Sequence, residues 1–485
     1  MKFLILVNNA PNYYPFFYDI ASELKGNGHE VLFAFHSKLA EELYPALDKT
    51  NNFPVLYFSD YLLNVDTKTS SSFERFYQRN NIYRCMFSDF DRFSTVGYNL
   101  GYSAADYDKI SSAYYHFFSE TYHKYNIDAV LYENVSNSYA YFAYEVAKAR
   151  GVEYLGIVSS RLPGRFSIVG DPLAESELLG FDGTLKHCDL LSNEGYKYID
   201  EYLTTFDHVQ PDYMKFNNLD NLSIVNKYLK VGRFKHYFRI ANYSLKNEHS
   251  GDFQSGNPLK LSMAVFMRSF YRRIKSLFID KYYQDIESID CDYYLYPLHF
   301  HPESSTSVLC PNYVDEYSVI KNIAFNLPFG TRLVVKDHMS SYGLPSIDFY
   351  KKISQIPNVI LVNHNANVKS LVRRSRGVIT LSSTVGYEAL LLGKQVFHFA
   401  DVFYSVHKNA HKIKTYDGIF RMLVDSPVIV NDEALQKYNK GFLASYYLSS
   451  YKGVLNIMNP ADGTARTVAE AICELMNESE VPRRA

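Results

Sequence analysis

The chain has 485 residues, which is too long for one compact core, so two domains are expected. Its formal net charge of −2 gives no electrostatic footprint for nucleic acid and argues against a general polyanion-binding protein. The five cysteines lack the paired spacing of a zinc site or a disulfide framework, which favours a reducing compartment.

The first 35 residues predict a βαβ unit. The apolar run from Phe3 to Val7 is typical of a buried parallel strand, and the helix that follows stops at Gly26 and Gly28. No GxGxxG follows the strand, so a dinucleotide site is not expected. The apolar run is too short for a signal peptide, and no window reaches the ~18 apolar residues of a membrane span. The sequence predicts a cytoplasmic protein and leaves open peripheral docking on the inner membrane.

The middle of the chain alternates between helical and α/β stretches. Residues from about Asp48 to Asn126 are predicted to be helical and aromatic. A strand then ends at Glu133, and a later one runs into "SSRLPGRFSIVGDPLAES". The chain from about 190 to 285 is again mostly helical, interrupted by "NEHSGDFQSGNP", which we interpret as a flexible loop.

From Tyr293 onward, five predicted strands alternate with four helices, which predicts a parallel doubly wound sheet. The predicted ranges are an N-terminal Rossmann-like acceptor and catalytic domain with helical insertions (1–285), a Rossmann-like nucleotide-sugar domain (286–430) and a helical segment (431–485). Two such domains facing a cleft are the α/β architecture of the GT-B glycosyltransferases, which some epimerases share.

Loops at the carboxyl ends of the second set of strands are the predicted ligand site. In "TLSSTVGYE", Ser382, Ser383 and Thr384 lie where a helix begins, and free backbone N–H groups and hydroxyls there suit a phosphate. Glu388 follows one turn later and can accept hydrogen bonds from two ribose hydroxyls. A plain helix cap followed by a solvated acid would give the same pattern, so both interpretations stay open.

Two further loops add to this site. Lys336 and His338 end an apolar strand in "VVKDHMSS", so two potentially cationic groups are expected at the phosphate. In "PLHFHPESSTS", His299 and His301 share one face, but no third ligand is spaced to complete a zinc site, so no metal is expected. His301 is assigned to the nucleotide site instead.

These loops resemble the nucleotide-binding half of bacterial capsule-polysaccharide and O-antigen glycosyltransferases, in particular the retaining β-Kdo transferases. The family combines a "PLHFQPE"-like strand end, a "VKEHP"-like loop and a "GTxGxEAxxxGKPV"-like unit. This chain has "PLHFHPE", "VKDHM" and "STVGYEALLLGKQV" between Tyr293 and Tyr404. It departs from the pattern at His301, Asp337, Met339 and Gln395, which leaves the exact acidic sugar open.

The resemblance implies transfer of Kdo, or a similar ulosonic acid, from CMP to a glycan or glycolipid in capsule or lipopolysaccharide O-antigen biosynthesis, without a metal. On this basis Lys336 and His338 meet the CMP phosphate, residues 382–384 cradle it, and Glu388 holds the ribose. Two alternatives stay open: a nucleotide-sugar epimerase, which needs a UDP-sugar and no acceptor, and a non-catalytic sugar-binding partner of a capsule assembly complex.

The catalytic carboxylates are expected in the N-terminal half. The resemblance implies an aspartate nucleophile, and Asp171 is the candidate because it follows the apolar run "FSIVG" in that half. Glu133, just past the strand "AVLY", is the second carboxylate. Arg161 or Arg165 is expected to pair with the carboxylate of the sugar. The plain alternatives are structural. Glu133 would be an acid at a strand end, Asp171 would be part of an Asp-Pro turn, and the two arginines would be solvated loop charges.

Overall fold

A computed structural model shows two sheets, each with its own hydrophobic core. The predicted loop "NEHSGDFQSGNP" lies mostly outside the described residues. The residues that the structure describes are 1–48, 53–65, 70–179, 189–209, 212, 231–247, 256–427, 429–430, 432–457 and 459–480.

The first sheet has seven strands in the order β13-β6-β5-β4-β1-β2-β3. Strands β1 to β5 are parallel, as their continuous apolar runs predict, whereas β6 is antiparallel to β5 and β13 is antiparallel to β6. The strands are β1 (Lys2–Val7), β2 (Glu30–Phe35), β3 (Val55–Tyr57), β4 (Ala129–Glu133), β5 (Glu153–Ser159), β6 (Arg165–Val169) and β13 (Tyr451–Lys452).

The second sheet has six strands, all parallel, in the order β12-β11-β10-β7-β8-β9. Counted from β7, this is the 3-2-1-4-5-6 order of doubly wound nucleotide-binding sheets, in which the strand order reverses between β7 and β10. The sequence predicted all of these strands except the last. They are β7 (Tyr293–Pro297), β8 (Arg332–Lys336), β9 (Val359–Val362), β10 (Gly377–Thr380), β11 (Gln395–His398) and β12 (Ala410–Lys412).

Helices flank both sheets, and capping residues mark where they begin and end. Ser103 and Asp106, for example, form a capping box at the start of α7, and Gly151 ends α8 in the left-handed region (φ 69°). The α-helices of the described chain are α1 (Tyr13–Gly26), α2 (Leu39–Leu43), α3 (Pro45–Asp48), α4 (Phe58–Asn64), α5 (Ser71–Tyr77), α6 (Ile82–Val96), α7 (Ala104–Tyr125), α8 (Ser138–Arg150), α9 (Asn193–Thr205), α10 (Val231–Lys246), α11 (Pro258–Ser276), α12 (Glu316–Ala324), α13 (Ile347–Ser354), α14 (Val368–Arg374), α15 (Thr384–Leu391), α16 (Ile419–Asp425), α17 (Glu433–Leu448) and α18 (Thr464–Glu480).

The C-terminal segment divides between the two cores. Phe442 and Leu443 of α17 are buried in the second core, whereas α18 packs on α1 and buries Val468 and Ile472 in the first core. Strand β13 also joins the first sheet. The three predicted domain ranges stay a prediction.

The loops of the two sheets meet across a cleft. Asn134, after β4, donates to Ser304 Oγ at 3.2 Å, and the backbone N–H of Ser176 donates to Asp401, after β11, at 3.3 Å. Two doubly wound units joined in this way have the GT-B layout, which confirms the predicted fold class.

Candidate functional site in the cleft

The loops after β7 and β10 meet at the point where the strand order of the second sheet reverses. Glu316 accepts a hydrogen bond from His299 Nδ1 at 2.8 Å, and His299 Nε2 accepts one from the backbone N–H of Ser382 at 3.3 Å. Ser382 Oγ in turn donates to the carbonyl of Ser305 at 2.8 Å. The loops after β7 and β10 are therefore in contact, as predicted, and the hydrogen bonds of His299 hold them together.

The start of α15 differs from the predicted cradle of three hydroxyls. Ser383 Oγ accepts the Val385 N–H at 3.2 Å as an ordinary helix cap, and Ser382 is engaged with the neighbouring loop. Thr384 lines a small pocket, and no described residue forms a hydrogen bond with its hydroxyl. Two of the three hydroxyls therefore build the loop, and only that of Thr384 is left for a ligand.

Glu388 lines the same pocket one helical turn later. Its Oε2 is buried and has no hydrogen-bond partner among the described residues. Burial raises the pKa of Glu388, while the charges of Lys369, Arg161 and Lys336 partly offset this. A buried carboxylate oxygen without a donor costs ~1–3 kcal/mol, and a ligand hydroxyl or a water would satisfy it. A solvated first-turn acid does not fit this burial.

Two lysines flank the carboxylate. Lys336 Nζ donates to the carbonyl of His364 at 2.8 Å, and burial lowers its pKa to about 8, so it is mostly charged at neutral pH. Lys369, on α14, donates to the carbonyl of Val209 at 3.0 Å and lies over the Phe206 ring. Sequence reasoning missed Lys369, although a lysine in the first turn after the polar "NHNAN" loop was an available signal.

His338 lies beside Lys336 but is not a second cation. Burial lowers its pKa to about 4, so the ring is neutral at neutral pH. The backbone N–H of Ser340 donates to His338 Nδ1 at 3.1 Å, which leaves the proton of the neutral ring on Nε2. His338 can therefore offer one neutral donor to a ligand instead of a positive charge.

His301 is engaged differently from its predicted role. Its Nε2 lies 3.2 Å from Asp91 Oδ1, on α6 of the first half, and its Nδ1 lies 3.0 Å from Thr306 Oγ1. Asp91 also accepts from Ser307 Oγ at 2.6 Å. Because both ring nitrogens have protein partners, His301 connects the two halves, and the predicted contact with the nucleotide is not supported.

On the opposite side of the cleft, Glu133 ends β4 beside β1, where the order of the first sheet reverses. Tyr13, just after β1, donates to Glu133 Oε2 at 2.5 Å, and Ser136 donates to Oε1 at 2.7 Å. Burial raises the pKa of Glu133, and the charge of Glu303 from the second half raises it further. Glu133 is thus in the cleft as predicted, and Glu303 of the second half lies near it.

The two predicted arginines have different contacts. Arg161 lines the pocket of Thr384 and Glu388, and its backbone N–H is held by Tyr446 Oη at 2.8 Å. Arg165 stacks 3.7 Å from the Tyr447 ring centroid and donates to Ser450 Oγ at 2.7 Å. Arg165 therefore anchors the end of α17, and its predicted contact with a sugar is not supported.

Asp171 does not lie with the other site residues. It follows β6, which is antiparallel to β5 with Val169 opposite Gly156, so the chain leaves this strand away from the carboxyl ends of the parallel strands. Its carboxylate pairs with Lys148 Nζ at 2.9 Å, late in α8. The predicted placement on the cleft side is wrong, because only five residues join β5 to β6 and so short a connection makes the two strands antiparallel.

Two other features are absent from the described ranges. No group of three or more His, Cys, Asp or Glu side chains is arranged to hold a metal ion. No helix there is both long and apolar enough to cross a membrane.

Residues 197–408 match the family model described as "Capsule polysaccharide biosynthesis protein". The matched segment covers less than half of the chain. It includes the stretch from Tyr293 to Tyr404, so the resemblance predicted from its motifs is confirmed. Protein FixF of Sinorhizobium fredii (strain NBRC 101917 / NGR234) is 38% identical over 85 residues, or 17% of this chain. The chain thus spans only 21% of that curated relative's own length.

Solved structures of capsule and nucleotide-sugar enzymes are more distant. The β-Kdo 2,7 transferase KpsC of Thermosulfurimonas dismutans aligns over 75% of this chain and 89% of its own, with 14% identity and a TM-score of 0.33. The UDP-GlcNAc 2-epimerase of Methanocaldococcus jannaschii aligns over 98% and 100%, with 12% identity and a TM-score of 0.25. Likenesses this weak do not distinguish a transferase from an epimerase.

Proposed function

We propose that the protein is a cytoplasmic, metal-independent retaining glycosyltransferase. It moves Kdo, or a similar acidic ulosonic sugar, from CMP to a glycan or glycolipid acceptor in capsule or lipopolysaccharide O-antigen biosynthesis. The family of residues 197–408 supports the capsule context. The donor, the acceptor and the retention of configuration are parts of the proposal.

The unpartnered Oε2 of Glu388 is the observation that carries the proposal. Paired hydroxyls of a ribose are donors that would satisfy it, and Thr384 stands one turn earlier, where a phosphate would meet the helix N-terminus. Lys336 contributes one charge and His338 one neutral donor to the same edge.

Glu133 and Glu303 supply the chemistry in this proposal. In the first step, one carboxylate attacks the anomeric carbon while the bond to the CMP oxygen breaks and its electron pair leaves with CMP. The acceptor hydroxyl then attacks the same carbon, releases the carboxylate and gives its proton to the second carboxylate. Two displacements retain the configuration. Arg161, at the pocket of Glu388, would pair with the carboxylate of the sugar.

Calorimetric titration of the whole protein with CMP, UDP and GDP, each with and without EDTA, tests the nucleotide assignment. We expect CMP to bind most tightly and EDTA to leave its affinity unchanged. Preferred binding of UDP, with turnover of a UDP-sugar in the absence of any acceptor, would favour the epimerase instead. Loss of CMP binding on chelation would contradict the metal-independent site.

A further inference from the structure

Helix α11 (Pro258–Ser276) turns its apolar face outward. Its exposed large apolar side chains recur every three or four residues, so they form one stripe along the helix, and the stripe continues past its end. All of them are at least 37% exposed: Leu259, Met263, Met267, Phe270, Tyr271, Ile274, Leu277 and Phe278. We call this set the α11 stripe.

The opposite face of α11 is held to the protein by basic side chains. Arg272 Nε donates to the carbonyl of Tyr342 at 2.7 Å, and Arg272 Nη2 donates to that of Met339 at 3.2 Å. Lys275 Nζ donates to the carbonyl of Pro345 at 2.9 Å. These carbonyls belong to the loop after β8 that also carries His338. The outward direction of the α11 stripe is therefore fixed by hydrogen bonds on the other side of the helix.

The charge on helix α11 itself has one sign, and the exposed Asp280 follows the end of the stripe. The helix sequence contains five basic residues and no acidic one. Lys260, Arg273 and the following Lys281 are exposed near the stripe. The adjacent α10 also lacks acidic residues and exposes Phe238 and Leu245. An exposed apolar stripe bordered by cations is the pattern of a helix that lies in the interface of an anionic bilayer.

A cavity of about 750 Å³ opens beside the α11 stripe. Met267 and Tyr271 belong both to the stripe and to the wall of this cavity, whose far side is lined by His299 and His301. The cavity therefore extends from the stripe to the loop after β7. A membrane surface against α11 would lie at the mouth of that space.

We propose that α11 docks this protein on the surface of a bilayer that contains anionic phospholipid. The stripe residues enter the boundary between headgroups and acyl chains, while the exposed cations near them contact lipid phosphates. This docking does not depend on which nucleotide or sugar the cleft binds.

Co-sedimentation of the full chain with vesicles tests the docking. We expect binding to vesicles of phosphatidylcholine mixed with phosphatidylglycerol, and much less to phosphatidylcholine alone. The double substitution Met263→Glu/Phe270→Glu should weaken binding at least about tenfold, because it places two carboxylates in the interface. Phe329→Glu is the matched control, since Phe329 is fully exposed just before β8, away from α11. It should bind like the unaltered protein.

Three results would overturn the proposal: no vesicle binding, equal binding to both kinds of vesicle, or equal loss in the Phe329→Glu control. A lipid-free dimer that the double substitution dissociates would assign the α11 stripe to a second copy of the chain instead. Thermal unfolding of each variant checks its folding, and CMP titration keeps this test separate from that of the cleft, because the substituted side chains do not line the pocket of Glu388.

Discussion

The two sides of the cleft present carboxylates in opposite states. On the second sheet, Glu388 Oε2 is buried without a donor and lies among three cationic side chains. On the first sheet, both oxygens of Glu133 already accept hydrogen bonds, from Tyr13 and Ser136. The first arrangement suits the binding of a ligand that supplies hydroxyls, whereas the second holds a carboxylate in one orientation for chemistry.

Substitution of Glu133 should give the largest effect. Glu133→Gln keeps the shape of the side chain but cannot take up a proton, so we expect transfer to fall by about 10²–10⁴-fold while CMP affinity is unchanged. CMP release in the presence of acceptor measures the rate, and calorimetry measures the affinity. Ser136→Ala is the matched control, because it removes one hydrogen bond to the same carboxylate and leaves the charge. Full activity in Glu133→Gln would remove this residue from the chemistry.

Glu388→Gln should weaken binding and leave folding intact. It replaces a charged acceptor by a neutral amide, a loss of about 1–2 kcal/mol or roughly tenfold in CMP affinity. If calorimetry shows normal CMP affinity, the ribose assignment fails.

Glu388→Gln should also change the pH dependence of thermal stability. Because burial raises the pKa of Glu388 in the folded state, the stability associated with its protonated form is lost as pH rises from the usual value of 4.5 through the raised pKa. Glu388→Gln lacks this loss, so its thermal stability relative to the unaltered protein should improve across that window. Parallel stability curves for the two proteins would contradict the buried state of the carboxylate.

The pH dependence of nucleotide affinity should give a smaller effect. The pKa of Lys336 is lowered to about 8 by burial, and a bound phosphate favours its charged form. CMP affinity should therefore fall several-fold as pH rises through about 8. Lys336→Met should bind more weakly and show a flatter profile over the same range. Identical profiles for the two proteins would show that Lys336 does not contact the phosphate.

Asp171→Asn should have the smallest effect. The substitution breaks an ion pair with Lys148, which is largely exposed, and such pairs contribute ~0–1 kcal/mol. Transfer should continue, and mass spectrometry of the protein incubated with donor alone should place a sugar adduct on the peptide of Glu133 or Glu303. An adduct on Asp171, or loss of transfer in Asp171→Asn, would return the nucleophile to that residue.

The nucleotide side was easier to predict than the acceptor side for a physical reason. In the second sheet every strand is parallel and each motif follows its own strand directly, so periodicity alone puts Lys336, His338 and Glu388 on one edge. In the first sheet, the antiparallel β6 carries Asp171 to the opposite edge of the sheet. The five residues between β5 and β6, which include Pro163 and Gly164, are a hairpin signal that the prediction of a cleft-side Asp171 overlooked.

Contacts between distant residues explain the other differences. The partner of His301 is Asp91, 210 positions earlier in the chain, and no local pattern links the two. Whether a hydroxyl is left for a ligand, as in Thr384, or used inside the protein, as in Ser382, also depends on a neighbouring loop. The residue types of the site could be predicted from the sequence, but their hydrogen-bond partners could not.

The position of α18 has a consequence for biosynthesis. Domains generally fold in order from the N-terminus as the ribosome makes them. Here α1, near the start of the chain, is covered by Thr464–Glu480, and β6 is paired by Tyr451–Lys452. The first core therefore cannot close until nearly the whole chain has been synthesised. We expect nascent chains that stop before α18 to keep the apolar face of α1 uncovered and to depend on chaperones until release.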